Sequence, residues 1–139
     1  MYLVDTNVAS EIRKKSRANR GVQAFFRKAI EDETQVFISV VTVGELRRGI
    51  ESIRFRGDVR QANRLERWLV ALLTEYQDHI LDLNQDIAQL WGRLRAPHPE
   101  NALDKQIAAT ALIYDLTVVT RNHKDFVKTG VPVLNPFTK

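Results

Sequence analysis

The sequence predicts an α/β fold, a mostly parallel central sheet of four to five strands with helices on both faces. Three observations carry that expectation. Short β-branched runs alternate along the chain with segments of helical periodicity, the pattern of a parallel sheet joined by crossover helices. The opening run Tyr2-Leu3-Val4 ends at an acid, Asp5. Open α/β sheets place their ligands at the carboxyl ends of strands, where Asp5 would sit. Two further acids recur in similar settings, Glu45 after a β-branched run and Asp104 at the head of a small, apolar helix.

The elements follow in order. Tyr2 to Val4 is the first strand, and Thr6 is a plausible cap for a helix from Asn7 to Lys14. A second helix runs from Asn19 or Gly21 to about Asp32, with Val22, Phe25, Phe26, Ala29 and Ile30 on one face. Val36 to Val40 is the next strand. Thr42 then fits the head of a helix in which Glu45 completes a Thr-x-x-Glu capping box. Arg56-Gly57-Asp58 marks a turn before a long helix from Val59 to about Tyr76. His79 to Leu83 reads as a third strand, and Asn84 to Arg95 as a helix with Ile87, Leu90, Trp91 and Leu94 at core spacing. Two prolines make Ala96 to Asn101 a loop. Ala102 to Asp115 is a helix, Leu116 to Thr120 a strand, and Val131 to Leu134 a short edge strand. No repeat or linker interrupts residues 1–139, so one domain is expected.

Composition narrows the function. A chain of 139 residues buries roughly two-thirds of its unfolded surface without needing a staple. It has no cysteine, which excludes disulfides and thiolate metal sites and suits a reducing cytoplasm. Asp5 interrupts any apolar leader, and no apolar stretch approaches the length of a membrane span. Net charge is +4, with fourteen of the cations arginine. Arg47, Arg48, Arg54, Arg56, Arg60, Arg64 and Arg67 fall close together, either as a solvated helix face or as a groove for phosphates or an acidic partner. His79, His98 and His123 are too scattered for zinc, and no Walker loop or Gly-x-Gly-x-x-Gly occurs.

Each acid has a plain structural reading: Glu45 as half of a capping box, Asp104 as a dipole cap, Asp125 as a turn residue. Their common placement near strand ends is harder to explain by capping. Carboxylates on one rim repel unless cations or protons neutralise them, and oxygen ligands select magnesium or manganese.

Four motifs then stand in order: Leu3-Val4-Asp5-Thr6-Asn7, Ser39-x-x-Thr42-x-x-Glu45-Leu46, Asp104-x-x-Ile107-Ala108-Ala109-Thr110-Ala111, and Thr120-Arg121-Asn122-x-x-Asp125-Phe126. Taken together they resemble the PIN-domain proteins of the VapC type, near the FitB-like and plasmid-stability branch. The resemblance implies a three-layer α/β/α sandwich and a magnesium-dependent endoribonuclease, with manganese a possible substitute. It also implies the toxin role in a toxin–antitoxin pair, a small DNA-binding VapB-like antitoxin, and a homodimer. Asp5, Glu45 and Asp104 match the family's three core acids. Where many members carry a fourth acid this chain has Asn122, and Asp125 either supplies that carboxylate or braces the loop. Thr6, Asn7, Thr120 and Asn122 would orient the carboxylates, and the arginines from Arg47 to Arg67 would line the RNA path. The products would carry 5′-phosphate and 3′-hydroxyl ends, because water attacks the phosphorus. The competing readings are a DNA-binding regulatory subunit whose acids receive an antitoxin cation, and a phosphatase or DNA nuclease built on the same acids.

Overall fold

The computed structural model describes residues 1–139 and contains five strands. They are β1 (Tyr2–Val4), β2 (Val36–Ser39), β3 (Ile80–Leu81), β4 (Thr117–Val119) and β5 (Val133–Leu134). They form one sheet in the order β3-β2-β1-β4-β5, and every neighbouring pair is parallel. Order reverses at β1, so the carboxyl ends of β1, β2 and β4 border the crevice where such sheets bind ligands.

Seven helices cover the sheet: α1 (Thr6–Ile12), α2 (Arg20–Glu31), α3 (Val40–Phe55), α4 (Val59–Glu75), α5 (Gln85–Arg95), α6 (Ala102–Tyr114) and α7 (His123–Val127). Strand alternation assigns the two faces. Leu3, Val118, Phe37, Leu81 and Val133 pack with Ile107, Ala108, Ala111 and Phe126 of α6 and α7. Val4, Ile38, Val119 and Ile80 pack on the opposite face with Val8 of α1 and Val22, Phe25 and Phe26 of α2. A third cluster joins α3 to α4 through Leu46, Ile50, Ala62, Leu69 and Leu72, and reaches Ala9 of α1. The α6 segment Ile107-Ala108-Ala109-Thr110-Ala111 is wholly buried, since small side chains let a helix lie close against a sheet.

The structure corrects two caps. Asp5, not Thr6, caps α1, its carboxylate accepting from the Thr6 N–H at 2.7 Å. Ser39, not Thr42, caps α3, its hydroxyl accepting from Val41 N–H at 3.0 Å. Strand pairing ends at Ser39, so the helix starts there and Thr42 lies buried inside its first turn. Glu45 becomes the sixth residue of α3, beyond the free N–H groups of the helix start, and the capping box does not form. Asn19, one of two expected starts of α2, and Asn84, the expected start of α5, stand just before those helices as their N-caps. Two elements escaped the sequence reading: α7, and a 3-10 turn at Lys15–Arg17. Both are too short to show a period.

The segment after β5 returns to the start of α2. Asn19 donates from Nδ2 to Thr138 O at 2.7 Å and accepts from Thr138 N at 3.0 Å. Gly21 makes room for this docking: a Cβ there would meet Pro136 O at 2.1 Å and Thr138 Cγ2 at 2.7 Å. Alanine is ordinarily better than glycine inside a helix by about 1 kcal/mol. Here Gly21→Ala is expected to destabilise by about 1–3 kcal/mol, the usual cost of overpacking, because a backbone carbonyl cannot swing aside. Thermal melting with limited proteolysis of residues 135–139 checks this. A higher melting temperature would show that the docking carries no stability.

Candidate functional site

Asp5, Thr6, Asn7, Glu45, Asp104 and Asn122 line one cavity of about 380 Å³, with Ser10, Leu103 and Ile107. Asp5 arrives from the end of β1, Glu45 from α3 after β2, Asp104 from the first turn of α6, and Asn122 from just beyond β4. The topology thus gathers side chains scattered over more than a hundred residues of sequence. Ser10 follows Thr6 and Asn7 by one helical turn, as Ile107 follows Asp104, so i+3/i+4 spacing was the signal for both.

Asp5 is buried and held on all sides. Besides the Thr6 N–H, its carboxylate accepts from Thr120 Oγ1 at 2.7 Å and Asn7 Nδ2 at 3.3 Å. Thr120, wholly buried, accepts in turn from Asn7 Nδ2 at 3.2 Å and Asn122 N at 3.0 Å. Asn7 closes the network by accepting from Arg121 N at 3.1 Å. Thr6 Oγ1 lies 3.3 Å from Thr42 Oγ1, tying α1 to α3. Burial pushes the Asp5 carboxyl above its ordinary value; the Thr120 and Thr6 donors pull it back in part, and the charges of Asp125 and Glu45 raise it.

Asp104 is pushed up to about 6, first by burial and then by the charges of Asp5 and Asp125. A carboxyl serving only as a helix cap would be drawn the other way, since the dipole and N–H groups favour its anion. The charge of Lys105 offsets part of the repulsion. Lys105, which sequence reading overlooked, is almost fully buried and donates from Nζ to Glu100 O at 2.5 Å, fixing the end of the 96–101 loop. Asp125 lies outside the cavity lining and accepts from Asn101 Nδ2 at 3.2 Å. Its charge nevertheless reaches both Asp5 and Asp104.

The arginines between residues 47 and 67 separate into two groups. Arg47 and Arg54 both bind Glu51 and Glu66, an exposed network bridging α3 to α4. Arg48 stands 3.9 Å from Glu45 at the cavity. Arg56, Arg60 and Arg64 are exposed at the α3–α4 turn and on α4, without an acidic partner.

No three acids or histidines converge closely enough to form a ready set of protein ligands for one ion. The donor set nonetheless suits magnesium, which keeps several waters and is usually held through one or two carboxylates. Burial, and behind it the charges of Asp5 and Asp125, lifts Asp104 to about 6, and a divalent cation bound beside it would offset both.

A larger cavity of about 770 Å³ lies between α2 and α4, away from the acids. Its lining is mainly apolar, with Phe26, Ile30, Trp68, Leu72 and Tyr76. Burial there raises the Tyr76 hydroxyl to about 12. No helix is long and apolar enough to cross a membrane.

Comparison with known proteins agrees with this architecture. The chain is 33% identical over 144 residues to the toxin FitB of Neisseria gonorrhoeae, with 99% of each chain covered. It is 31% identical over 141 residues to the VapC ribonuclease Y4jK of Sinorhizobium fredii, covering 99% of this chain and 98% of that one. The structure of FitAB bound to an IR36 DNA fragment matches with a TM-score of 0.84 at 30% identity, covering 100% of this chain and 97% of that one. The PIN domain pattern itself matches residues 2–132, from β1 to the edge of β5, and the chain therefore belongs to the PIN-domain family.

Proposed function

We propose that this protein is a divalent-cation-dependent endoribonuclease and the toxin of a toxin–antitoxin pair. One observation carries the reading: in a PIN-domain chain, Asp5, Glu45 and Asp104 share a single small cavity at the strand carboxyl ends. Relatives named as a toxin and as a VapC ribonuclease support it. Asp5 and Asp104 are the residues that would hold magnesium, or manganese in its place, with Asn122 within the same cavity and Asp125 behind it. The cation supplies Lewis acidity and lowers the pKa of a water.

The rest is the work of the chain. The Thr6 and Thr120 donors hold Asp5 in one orientation, and Asn7 locks Thr120. Asp104 has no hydrogen-bond or ion-pair partner and presents a free carboxylate to the cavity. Glu45, with its side chain 28% exposed, can accept a proton from attacking water, and Arg48 beside it can meet a phosphate. Arg56, Arg60 and Arg64 extend that positive flank, while Arg47 and Arg54 serve it by bracing α3 on α4. Arginine offers the bidentate fork that phosphate oxygens match.

The experiment is incubation of purified, antitoxin-free protein with a mixed RNA panel, magnesium or manganese, and an EDTA control. Metal-dependent cleavage leaving 5′-phosphate ends is expected. Cleavage that survives EDTA, or that leaves 2′,3′-cyclic ends, would overturn the metal-hydrolysis reading.

The partner role has its own support. The apolar cavity between α2 and α4 and the exposed Ile30 at its edge form a surface suited to an amphipathic segment. The related FitAB assembly is seen bound to DNA. An antitoxin seated there would let the same chain act in a DNA-bound complex and, as a homodimer, in a two-fold one. Co-expression with a neighbouring small DNA-binding protein, followed by size-exclusion chromatography and operator binding, checks this.

A further inference from the structure

Residues 13–20 hold five cations, Arg13, Lys14, Lys15, Arg17 and Arg20, and no acid. All five are exposed, and only Lys14 has an ion-pair partner, Glu11 at 3.0 Å. The backbone beneath them is fixed. Gln23 Nε2 donates to Ala18 O at 2.7 Å, and Asn19 N donates to the buried Glu11 carboxylate at 2.8 Å. Arg121 stands beside this segment without an acidic partner, its guanidinium 3.9 Å from the Phe137 ring. Burial pushes Glu11 up, yet the donors Lys14 and Asn19 with the charges of Lys14 and Arg121 leave it lowered, which places Arg121 within electrostatic reach of the same patch.

A chain of contacts connects this patch to the acidic cavity. Asn7 lines the cavity and accepts from Arg121 N; Arg121 lies over Phe137; Thr138, the next residue, is bonded to Asn19 between Arg17 and Arg20. In contrast, Arg47 and Arg54 on the other side of the cavity are already neutralised by Glu51 and Glu66. We propose that the α1–α2 connection, with Arg121 and Phe137, is a track for the sugar–phosphate backbone of single-stranded RNA leading to the cavity, a deepening that rests on the ribonuclease reading above. Unpaired cations on a fixed backbone bind phosphates regardless of sequence, and the Arg121 guanidinium, held over the partly buried Phe137 ring, offers a cationic plane on which a base can stack. That stacked pair, and the unbroken path to Asn7, favour RNA over an acidic protein segment.

The test uses full-length protein carrying Asp104→Asn, which binds without cutting, and a fluorescent oligouridylate followed by anisotropy across a salt series. The further substitutions Arg17→Gln, Arg20→Gln and Arg121→Gln are expected to weaken binding and flatten the salt slope by about 2, at roughly 0.7 per single-strand phosphate contact. The corresponding lysine triple is expected to restore most of the slope, which shows that charge and not folding was lost. Wild-type cleavage of the RNA panel is run in parallel. If the wild type cleaves and the glutamine triple keeps its slope, the track is wrong and the ribonuclease reading stands. If the wild type neither cleaves nor binds RNA, both fall. A triple that keeps its RNA slope yet loses co-purification with an antitoxin would assign the patch to protein docking and overturn the track.

Discussion

Replacing Asp104 by asparagine is expected to abolish metal-dependent RNA cleavage while making the metal-free protein more stable. The loss of activity should exceed about 100-fold, beyond the 10–100-fold typical of groups that only orient a metal ligand. The gain in stability follows from proton linkage. Asp104 titrates at about 6 in the folded chain against 3.8 as its ordinary value, so the folded state holds its proton more tightly than the unfolded state. Stability therefore falls as pH rises from 3.8 to about 6, and the full penalty persists above that interval. At about 1.4 kcal/mol per tenfold, the ceiling is near 3 kcal/mol. Solvent screening of a half-buried group reduces this to about 1 kcal/mol. Asp104→Asn should then melt about 3 °C higher than wild type at pH 7.5 in EDTA, with the difference gone near pH 4. Magnesium should raise the wild-type melting temperature and leave the variant almost unmoved, since only a bound ligand shifts the folding equilibrium. A variant that melts below wild type in EDTA would mean that Asp104 is a structural cap and not a strained site acid.

The second large effect is expected at Thr120, which touches no substrate in this scheme. Its hydroxyl donates to Asp5 and accepts from Asn7 and Asn122 N, all inside the protein. Thr120→Val keeps the shape and removes all three contacts. Leaving buried polar groups unpaired costs about 2–3 kcal/mol. Asp5 also loses its strongest lowering influence, so its carboxyl rises further and the acid limb of the pH–rate profile should move to higher pH. Activity is expected to drop roughly 10–100-fold through Asp5 misorientation. Thr120→Ser keeps the hydroxyl and should recover most of the activity, though it loses a methyl group. The discriminating readout is the acid limb together with the serine rescue. If Thr120→Val is merely less stable, with an unmoved pH profile, the hydroxyl is structural only.

Much of this architecture was legible from local pattern. Val36-Phe37-Ile38 and Thr117-Val118-Val119 are β-branched or aromatic and short, so their strand state follows from side chains that suit a pleated, buried surface. The α6 run of small residues announced a helix that could lie flat. Asp5, Glu45 and Asp104, which line one cavity, stood out as candidates because each follows or opens such an element. Helix starts were less legible. Thr6 and Thr42 suit a cap, but so do Asp5 and Ser39, and only the points where strand pairing stops, at Val4 and Ser39, decide between the neighbours. The arginine-rich stretch was similarly opaque. Glu51 is close in sequence to Arg47 and Arg54, but Glu66 comes from the next helix, and only the packing of α3 on α4 brings it within 2.7 Å of Arg47.

Sequence alone determined the five strands and the six longer helices, and which acids stand at their ends, because periodicity and propensity depend on neighbours a few residues away. Tertiary structure decided the rest: that Thr120 would grip Asp5 across 115 positions, that Glu45 would be released from a capping role, that two arginines would be neutralised and others left free, and that Gly21 would yield its space to Pro136. These are outcomes of strand order and helix packing, which fix distances between groups that no local window contains.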